Sequence, residues 1–384
     1  MHLAISEIKR NRSRFLLIIS IVALVTALIL FVVALAEGLG SGNIEGVQKL
    51  DADLLVFQDK SKLSLATSAL PWERLRQVRR VDGVVDVGAV GFAGVSLPAE
   101  ATLDGRALDV ALVGVQPGRP GEPPVLQGRQ LGGERDRVAI LDRKTQLRTG
   151  LQPGDTLTIR SVQDARDELY ELTIVGLTDD RQFNLRPSVF VPLRVWDELR
   201  PGTREGVGER EVIVSFLAVQ TDPSVPQQEM ARRLTAEVQD IEVADLKTAY
   251  EATPGYREQQ STLVLQQGFT WFIGLLVIGV FFQIVTLQKV AQVGVLKAMG
   301  APNSLIVTSA LAQMLIVTVI GVALGGLGAL FLGLGIPPTV PLSWPLERLA
   351  LTLATLLLMG PLGGLLSIRI LLRVEPLTAL GLAK

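Results

Sequence analysis

The hydrophobicity of this chain is gathered into four blocks, and this uneven distribution limits the possible folds more than any motif does. The first block, residues 15–36, contains 22 consecutive uncharged residues. At about 1.5 Å per residue a helix of this length reaches roughly 33 Å, enough to cross the hydrocarbon core of a bilayer. Further apolar blocks lie at residues 268–287, 304–336 and 349–368. The sequence therefore predicts a membrane protein with four spans.

The first block could instead belong to a cleaved signal peptide, because residues 34–36 (Ala-Leu-Ala) resemble a cleavage site. The apolar region of a signal peptide is typically ~7–15 residues long, so the length of this block favours a retained span. Short basic segments at residues 1–14, 288–303 and 369–384 fall on one side of a four-span chain, whereas the turn at 335–346 has no lysine or arginine. Since basic loops stay in the cytoplasm, we expect a multi-pass protein of the plasma (inner) membrane with both termini inside.

Residues 37–260 mix polar and apolar residues as a soluble domain does. Alternating runs bounded by turn residues predict strands at 53–57, 84–90, 110–115, 137–141, 156–160, 170–175, 188–191 and 211–219. Helical patterns lie at 71–80, 195–199 and 226–238. The region is predicted to be an α+β domain with one core or two subdomains. The glycine-rich residues 37–42 predict a flexible exit from the first span, and residues 245–267 a helical stalk.

The predicted fold is an α-helical membrane protein with four transmembrane helices and a large α+β extracytoplasmic domain inserted between the first and second spans. Its predicted boundaries are 1–14 (cytoplasmic N-terminus), 15–36 (first span), 37–260 (extracytoplasmic domain with stalk), 261–287 (second span), 288–303 (cytoplasmic segment), 304–334 (third span), 335–346 (outer turn), 347–368 (fourth span) and 369–384 (cytoplasmic tail).

The composition excludes several kinds of chemistry. There is no cysteine, and the single histidine is His2, so a zinc site built on histidines or a Ser-His-Asp triad is not expected. The sequence contains no phosphate-binding G-x-x-x-x-G-K-[ST] loop, no H-E-x-x-H and no G-x-S-x-G. Its net charge of −1 gives no sign of nucleic acid as a partner. We predict no catalytic residues, no metal site and no cofactor, and any energy must come from a partner.

The segment between the second and third spans, residues 287–303, differs from a simple polar loop. Val290, Val293 and Leu296 recur at helical spacing, Gly300 predicts the end of the helix, and Pro302 follows it. This apolar stripe predicts either a docking helix or an amphipathic turn that lies on lipid.

Small and polar residues stand out within the spans. The pair Gly321 and Gly325 has the spacing that lets helix backbones approach closely, although glycine is also generally frequent in membrane helices. Gln283 and Gln313 are the polar exceptions, and we expect both to form hydrogen bonds between helices.

The order of one span, a large domain and three further spans resembles the FtsX/MacB-type (type VII) ABC transporter permeases, with the DevC-like exporter permeases as the most similar branch. The coupling segment of that family usually reads basic-x-x-Glu-Ile-Gly-x-x-basic-Ala-x-Gly-Ala. The residues that match it are Lys289, Gly294, Lys297, Ala298, Gly300 and Ala301. Gln292 replaces the usual glutamate, which puts a salt bridge from that position in doubt. Segments within residues 128–176 and the tail at 373–380 are also similar to the family.

The resemblance implies mechanotransmission, in which a separate ATPase moves the first two spans and thereby reshapes the extracytoplasmic domain. The implied ATPase-coupling residues are Lys289, Gln292, Val293, Gly294, Leu296, Lys297, Ala298, Gly300 and Ala301. The expected cargo is a lipid, a peptide or a hydrophobic small molecule. The implied partners are the ATPase subunit, a second permease chain in a homodimer, a periplasmic adaptor protein and membrane lipid.

Two alternatives remain open at the level of sequence. One is an FtsX-like transmembrane signal transducer that activates a cell-wall hydrolase. The other is a membrane-anchored sensor or enzyme with its active site in residues 37–260, where the lack of histidine and cysteine argues against most hydrolase chemistries.

Overall fold

The computed structural model describes residues 12–163, 166–202, 212–253, 255–336 and 340–372. Most of the basic segments predicted at 1–14 and 369–384 therefore lies outside the described residues. The chain forms two compact units and passes from one to the other between Gly38 and Leu39 and again between Gln260 and Ser261. We call the part between these points the sheet unit and the remainder the helical unit.

The described residues contain both long apolar helices and short helices. In chain order they are α1 (Arg12–Gln48), α2 (Trp72–Val78), α3 (Arg143–Thr149), α4 (Leu193–Leu199), α5 (Gln227–Glu237), α6 (Leu246–Glu251), α7 (Tyr256–Gln288), α8 (Val290–Ala298), α9 (Asn303–Gly335) and α10 (Leu346–Leu372). Among the described residues, four helices are long and apolar enough to cross a membrane, namely α1, α7, α9 and α10. The predicted four-span architecture is confirmed.

The described residues of the helical unit form one large apolar cluster to which all four spans contribute. Its buried side chains include Val22 of α1, Phe282 of α7, Val317 of α9 and Met359 of α10. The third apolar block forms one uninterrupted helix, α9, of 33 residues. At 1.5 Å per residue this helix is about 50 Å long, well beyond a hydrocarbon core of about 30 Å.

The sheet unit is built on a mixed sheet of mostly antiparallel strands. The strands are β1 (Leu54–Gln58), β2 (Leu70–Pro71), β3 (Val84–Leu97), β4 (Leu108–Val115), β5 (Gln127–Gly128), β6 (Val138–Leu141), β7 (Thr156–Gln163), β8 (Arg166–Leu177), β9 (Ser188–Pro192), β10 (Ile213–Val214), β11 (Phe216–Thr221) and β12 (Ile241–Asp245). The large sheet has the order β12-β1-β11-β3-β4-β9-β6-β8-β5, and β7 pairs with β3 and β8. The pairs β4–β9 and β6–β8 are parallel.

Both faces of the central strands are buried. Because successive side chains of a strand point to opposite faces, Val110 and Leu112 of β4 enter one apolar cluster, whereas Ala111 and Val113 enter another. Helices α2, α4 and α5 supply side chains to the first cluster. The end of α1 and helix α6 supply side chains to the second. The predicted α+β domain between the first and second spans is thus confirmed as a layered structure.

Each strand predicted from the sequence overlaps an observed strand, although residue 211 of the last prediction lies outside the described residues. The three predicted helices are α2, α4 and α5. The elements that were not predicted are short: β2, β5, β12 and α3, whereas α6 lies within the helical stalk predicted at residues 245–267. Helix α3 had a local signal, because Asp142 caps its first turn and Gly150, with φ of 75°, ends it.

The prediction of a flexible exit at residues 37–42 is wrong, because α1 continues as a helix to Gln48. The glycines there permit close packing. A Cβ atom at Gly42 would lie 2.8 Å from the side chains of Gln182 and Leu185. A Cβ atom at Gly46 would lie 2.5 Å from the ring of Phe183. Tertiary contacts therefore hold this glycine-rich stretch in a helix that its local sequence disfavours.

Candidate functional site

Helix α8 is the segment that the sequence singled out, and both of its ends are fixed by backbone geometry. Lys289, with φ of −96° and ψ of −5°, is the one residue between α7 and α8, and its carbonyl accepts from the N–H of Val293 at 2.9 Å. At the other end the N–H of Ala301 donates to the carbonyl of Leu296 and the N–H of Gly300 to that of Lys297, both at 3.0 Å. With φ of 88° at Gly300, this is a Schellman motif. The predicted helix and its glycine stop are confirmed.

One face of α8 packs on the same chain. Val293 and Gly294 are buried, and Val293 forms a small apolar cluster with Ile306 and Ala310 of α9. Val290 and Lys297 are half-buried on the same side. Part of the apolar stripe predicted from the sequence is therefore occupied by α9.

The opposite face of α8 is exposed. Val295, Leu296 and Met299 have exposed fractions of 44%, 37% and 71%, and Gln292 is also exposed. These positions follow the i, i+3, i+4, i+7 spacing of one helical face. We call Gln292, Val295, Leu296 and Met299 the outer stripe. Val295 and Met299 were not among the predicted site residues, and a helical-wheel projection centred opposite Val293 would have found them.

Lys289 points into the helical unit. Its Nζ donates a hydrogen bond to Oε1 of Gln313 on α9. The same Nζ lies 5.5 Å from the ring centroid of Phe15 on α1, within the range of a cation–π contact. Lys289 therefore links the start of α8 to two spans, and Gln313 has an interhelical partner as expected. Gln283 is exposed.

The remaining predicted coupling residues lie near the end of α8. Lys297 occupies the last turn, where a cation interacts favourably with the helix dipole. Ala298 is exposed, and Ala301 is half-buried beyond the glycine stop. The predicted coupling residues thus fall into two groups: some are exposed on the surface of α8, and the others hold α8 to its own chain.

The glycine pair of α9 faces α1. A Cβ atom at Gly321 would lie 2.5 Å from Cγ1 of Val22, and one at Gly325 would lie 2.4 Å from the carbonyl oxygen of Ala23. Other small residues mediate further contacts, since a Cβ atom at Gly363 of α10 would lie 3.0 Å from Cα of Gly279 on α7. Close backbone approach at glycine is a usual basis of helix association in membranes.

The last turns of α1 belong to the sheet unit, where backbone and charged contacts hold them in place. The N–H of Gly46 donates to the carbonyl of Gln182 at 2.7 Å, and the N–H of Leu185 donates to the carbonyl of Gly42 at 2.9 Å. Lys49 pairs with Glu45 at 2.8 Å and with Asp179 at 3.0 Å. We call this set of contacts the α1 clamp.

The charges of the clamp stabilise one another. Burial lowers the pKa of Lys49, but its hydrogen bonds to Glu45 and Asp179 outweigh this effect, so the pKa is raised. Burial likewise raises the pKa of Asp179, yet hydrogen bonds from Arg181 and Lys49 outweigh it, and the pKa is lowered. Both groups therefore stay charged and paired around neutral pH.

A buried carboxyl group lies at the start of α3. Asp142 is fully buried, and its Oδ1 accepts a hydrogen bond from the N–H of Thr145 at 2.7 Å. Its Oδ2 has no hydrogen-bond partner among the described residues. Burial raises the pKa of Asp142 to about 7. Within the described ranges, no group of three or more histidine, cysteine, aspartate or glutamate side chains could hold a metal ion.

Comparisons with known proteins agree with this architecture. The model of the MacB-like periplasmic core domain matches residues 15–237, and that of the FtsX-like permease C-terminal domain matches residues 268–376. A putative hemin transport system permease protein HrtB of Staphylococcus haemolyticus is 23% identical over 381 residues, covering 99% of both chains. A protein of the same description from Staphylococcus epidermidis is 21% identical over 384 residues, again covering 99% of both.

Two solved structures show weaker similarity. The periplasmic region of MacB from Actinobacillus actinomycetemcomitans has a TM-score of 0.36 and 10% identity, covering 56% of this chain and 94% of that one. The extracellular domain of the noncanonic ABC-type transporter YknZ from Gram-positive bacteria has a TM-score of 0.33 and 16% identity, covering 51% of this chain and 100% of that one. The family assignment depends on the domain matches, the first of which spans more than half of the chain. With four spans and both domains in the family's order, this chain belongs to the FtsX/MacB-type ABC transporter permeases.

Proposed function

We propose that this permease couples ATP hydrolysis by a separate ATPase subunit to a change of shape in its sheet unit, and that it thereby exports a hydrophobic or amphipathic molecule. The observation that carries the proposal is the outer stripe of α8. It exposes apolar side chains on a helix that Lys289 and Val293 attach to the neighbouring spans. Exposed apolar patches with a polar rim commonly mark protein interaction sites.

The proposal places α8 and both termini in the cytoplasm and the sheet unit outside the plasma (inner) membrane. Lysine and arginine are present at residues 1–14, 288–303 and 369–384 and absent from 335–346, as the positive-inside rule requires. Because the chain has no cysteine, single cysteines can be labelled without background. Lys297→Cys should be protected from an impermeant maleimide in intact cells, whereas Asp155→Cys should react. Equal labelling of both would refute this orientation.

Continuous helices supply the route for force. Helix α7 runs from Tyr256 to Gln288 and ends beside α8, and α1 runs from Arg12 to Gln48, with the α1 clamp along its last turns. A push on the outer stripe would reach α9 through Val293, and α1 through Lys289 and Phe15. Packed interfaces with discrete arrangements can pass such shifts on as rigid-body motion.

The cargo is inferred from the relatives, whose names refer to hemin transport. Hemin is a flat apolar molecule with two carboxylates, which agrees with the hydrophobic small molecules expected from the family. We also propose a second copy of the chain, a periplasmic adaptor and bilayer lipid as partners. Cross-linking of the purified complex in lipid nanodiscs would reveal the second copy.

The central test is coupled ATP hydrolysis. The chain is co-purified in nanodiscs with an ABC ATPase encoded beside it, and hydrolysis is measured with and without hemin. Replacing Val295 and Met299 together by aspartate should prevent complex formation, because each charge would enter the proposed apolar contact. The matched control replaces Leu103 and Leu126, each 72% exposed on the sheet unit, by aspartate. Wild-type coupling in the Val295/Met299 variant would refute the assignment of the outer stripe.

A further inference from the structure

The sheet unit contains an open groove that the coupling mechanism does not use. It has a volume of about 440 Å³ and lies between strand β3 and two loops. Its lining includes Ala66 from the loop after β1, Phe92 and Gly94 from β3, and Asn184 and Arg186 from the loop between β8 and β9. The volume falls within the range of roughly 300–1,000 Å³ that is usual for small-molecule sites.

The floor of the groove is aromatic. Phe92 is half-buried, and its ring centroid lies 5.8 Å from that of the buried Phe183. Phe183 in turn lies 6.4 Å from Phe190, centroid to centroid. This stack continues into the apolar core of the sheet unit, so the exposed part of Phe92 is a rigid apolar surface on which a flat molecule could pack.

The guanidinium of Arg186 lies at the edge of the same groove. Arg186 is exposed, and its guanidinium forms no ion pair or side-chain hydrogen bond with any of the described residues. Its Nη1 occupies the space next to Gly94, where a Cβ atom would lie 2.5 Å away. Glycine at position 94 therefore leaves room for the guanidinium at the edge of the groove. An unpaired arginine next to an aromatic floor complements a molecule with an apolar body and a carboxylate.

The loop that carries Arg186 is also the loop held by the α1 clamp. Asn184 and Leu185 have φ of 52° and 62°, a left-handed conformation that is uncommon for residues other than glycine. The N–H of Leu185 donates to the carbonyl of Gly42 on α1 at 2.9 Å. A ligand that shifted Arg186 would therefore act on a backbone segment bonded to the end of the first span.

We infer that this groove is a binding site for a small amphipathic carboxylate whose apolar ring system packs on Phe92 and whose carboxylate pairs with Arg186. The inference narrows the cargo class of the proposed export function and depends on that function for its physiological meaning. Binding itself requires no ATPase, so the two proposals can fail separately.

The test is equilibrium binding to the full chain in lipid nanodiscs, with empty nanodiscs as the blank. The probe is naphthalene-2-carboxylate, and naphthalene-2-carboxamide serves as the neutral control. Because charge-assisted hydrogen bonds are roughly twice as strong as neutral ones, we expect the carboxylate to bind about five- to tenfold more tightly than the carboxamide. Arg186→Gln should remove that preference. Arg194→Gln, a change of another exposed arginine of the sheet unit, should leave it unchanged.

A second variant keeps the charge of Arg186 but displaces its guanidinium, and so tests whether the position of that group matters for carboxylate binding. Gly94→Ala places a methyl group where Nη1 of Arg186 lies, and the flexible arginine can move aside without disturbing the fold. The carboxylate should then bind about as weakly as to Arg186→Gln. The inference would be overturned if the wild-type chain did not bind the carboxylate or bound both probes equally well. It would also be overturned if Arg186→Gln and Gly94→Ala both bound the carboxylate as tightly as the wild-type chain does. The wild-type chain could bind the carboxylate while the Val295/Met299 aspartate variant still showed wild-type coupled ATP hydrolysis. That result would support the groove as a binding site and refute the coupling proposal.

Discussion

Replacing Asp142 by asparagine should abolish a pH dependence that this buried carboxyl group gives to the sheet unit. Its pKa is raised from 3.8 to about 7 because the group is buried. The folded state therefore holds the proton more tightly than the unfolded state does. The resulting stabilisation is fully present below pH 3.8 and is lost progressively as the pH rises through about 7.

The size of the effect follows from the two pKa values. At roughly 1.4 kcal/mol per pH unit, the difference between 3.8 and about 7 corresponds to about 4 kcal/mol. About 2 kcal/mol of this should be lost between pH 5.5 and pH 8. Asparagine keeps an oxygen that can accept from the N–H of Thr145, so the cap of α3 is retained. The new amide donors are unpaired at the site of Oδ2, and that cost is the same at both pH values.

Hydrogen exchange read by mass spectrometry on peptides covering residues 138–149 measures this local stability at each pH. The wild-type chain should lose about 2 kcal/mol of opening free energy between pH 5.5 and pH 8 after correction for intrinsic rates, and Asp142→Asn should lose none of it. Asp245→Asn is the matched control, because Asp245 caps α6 through Thr248 but is only half-buried. If the opening free energy of Asp142→Asn still fell with pH as it does in the wild-type chain, the buried carboxyl group would not be the source of that pH dependence.

Three further predictions concern helix contacts. Gly325→Leu should destabilise the full chain in detergent by about 1–3 kcal/mol, because its Cβ atom would clash with the backbone of α1, whereas Gly328→Leu, with no atom within 4 Å of its Cβ position, should not. Equal melting temperatures would contradict this. Gly46→Ala should push the Phe183 ring aside and speed hydrogen exchange in the loop after β8, and unchanged exchange would count against the α1 clamp. Lys289→Met should lower the opening free energy of α8 by about 1–3 kcal/mol, as measured by hydrogen exchange within the helix. Unchanged protection would show that Lys289 does not hold α8 in place.

Much of the fold could be predicted because its signals are local. Apolar blocks longer than a bilayer is thick have few alternatives to membrane helices, and the strands of the sheet unit lie between turn residues. The end of α8 was equally clear, since Gly300 supplies the positive φ that a Schellman motif requires and Pro302 follows it.

The extension of α1 could not be predicted by the same reasoning. In isolation Gly38, Gly40 and Gly42 indicate a flexible segment, because glycine is a poor helix former. At Gly42 and Gly46 the helix packs on the loop after β8, whose side chains occupy the space that Cβ atoms would need. The loop is about 140 residues further along the chain, so a short window of sequence cannot contain that information.

The helix at Val290–Ala298 was predicted correctly, but the side of it that the chain leaves exposed was not. Spacing alone groups Val290, Val293 and Leu296, and it cannot tell which side α9 will cover. In the structure α9 covers Val293, and the exposed stripe turns to Val295 and Met299. An apolar residue of a linker helix between spans can serve either its own chain or a partner, and only packing decides between them.

This division of α8 determines how a partner's force could be used. If α8 were a loose loop, docking energy would be spent on ordering it, at roughly 1–2 kcal/mol for each residue fixed. Lys289 holds its start to α1 and α9, Val293 packs its middle on α9, and the Schellman motif closes its end shortly before α9 begins. A helix attached to the spans at its start and in its middle moves together with the spans that hold it. Under the proposed coupling mechanism, the contacts that bury Val293 therefore leave the outer stripe as the surface through which a docked ATPase would move α8 and the spans attached to it.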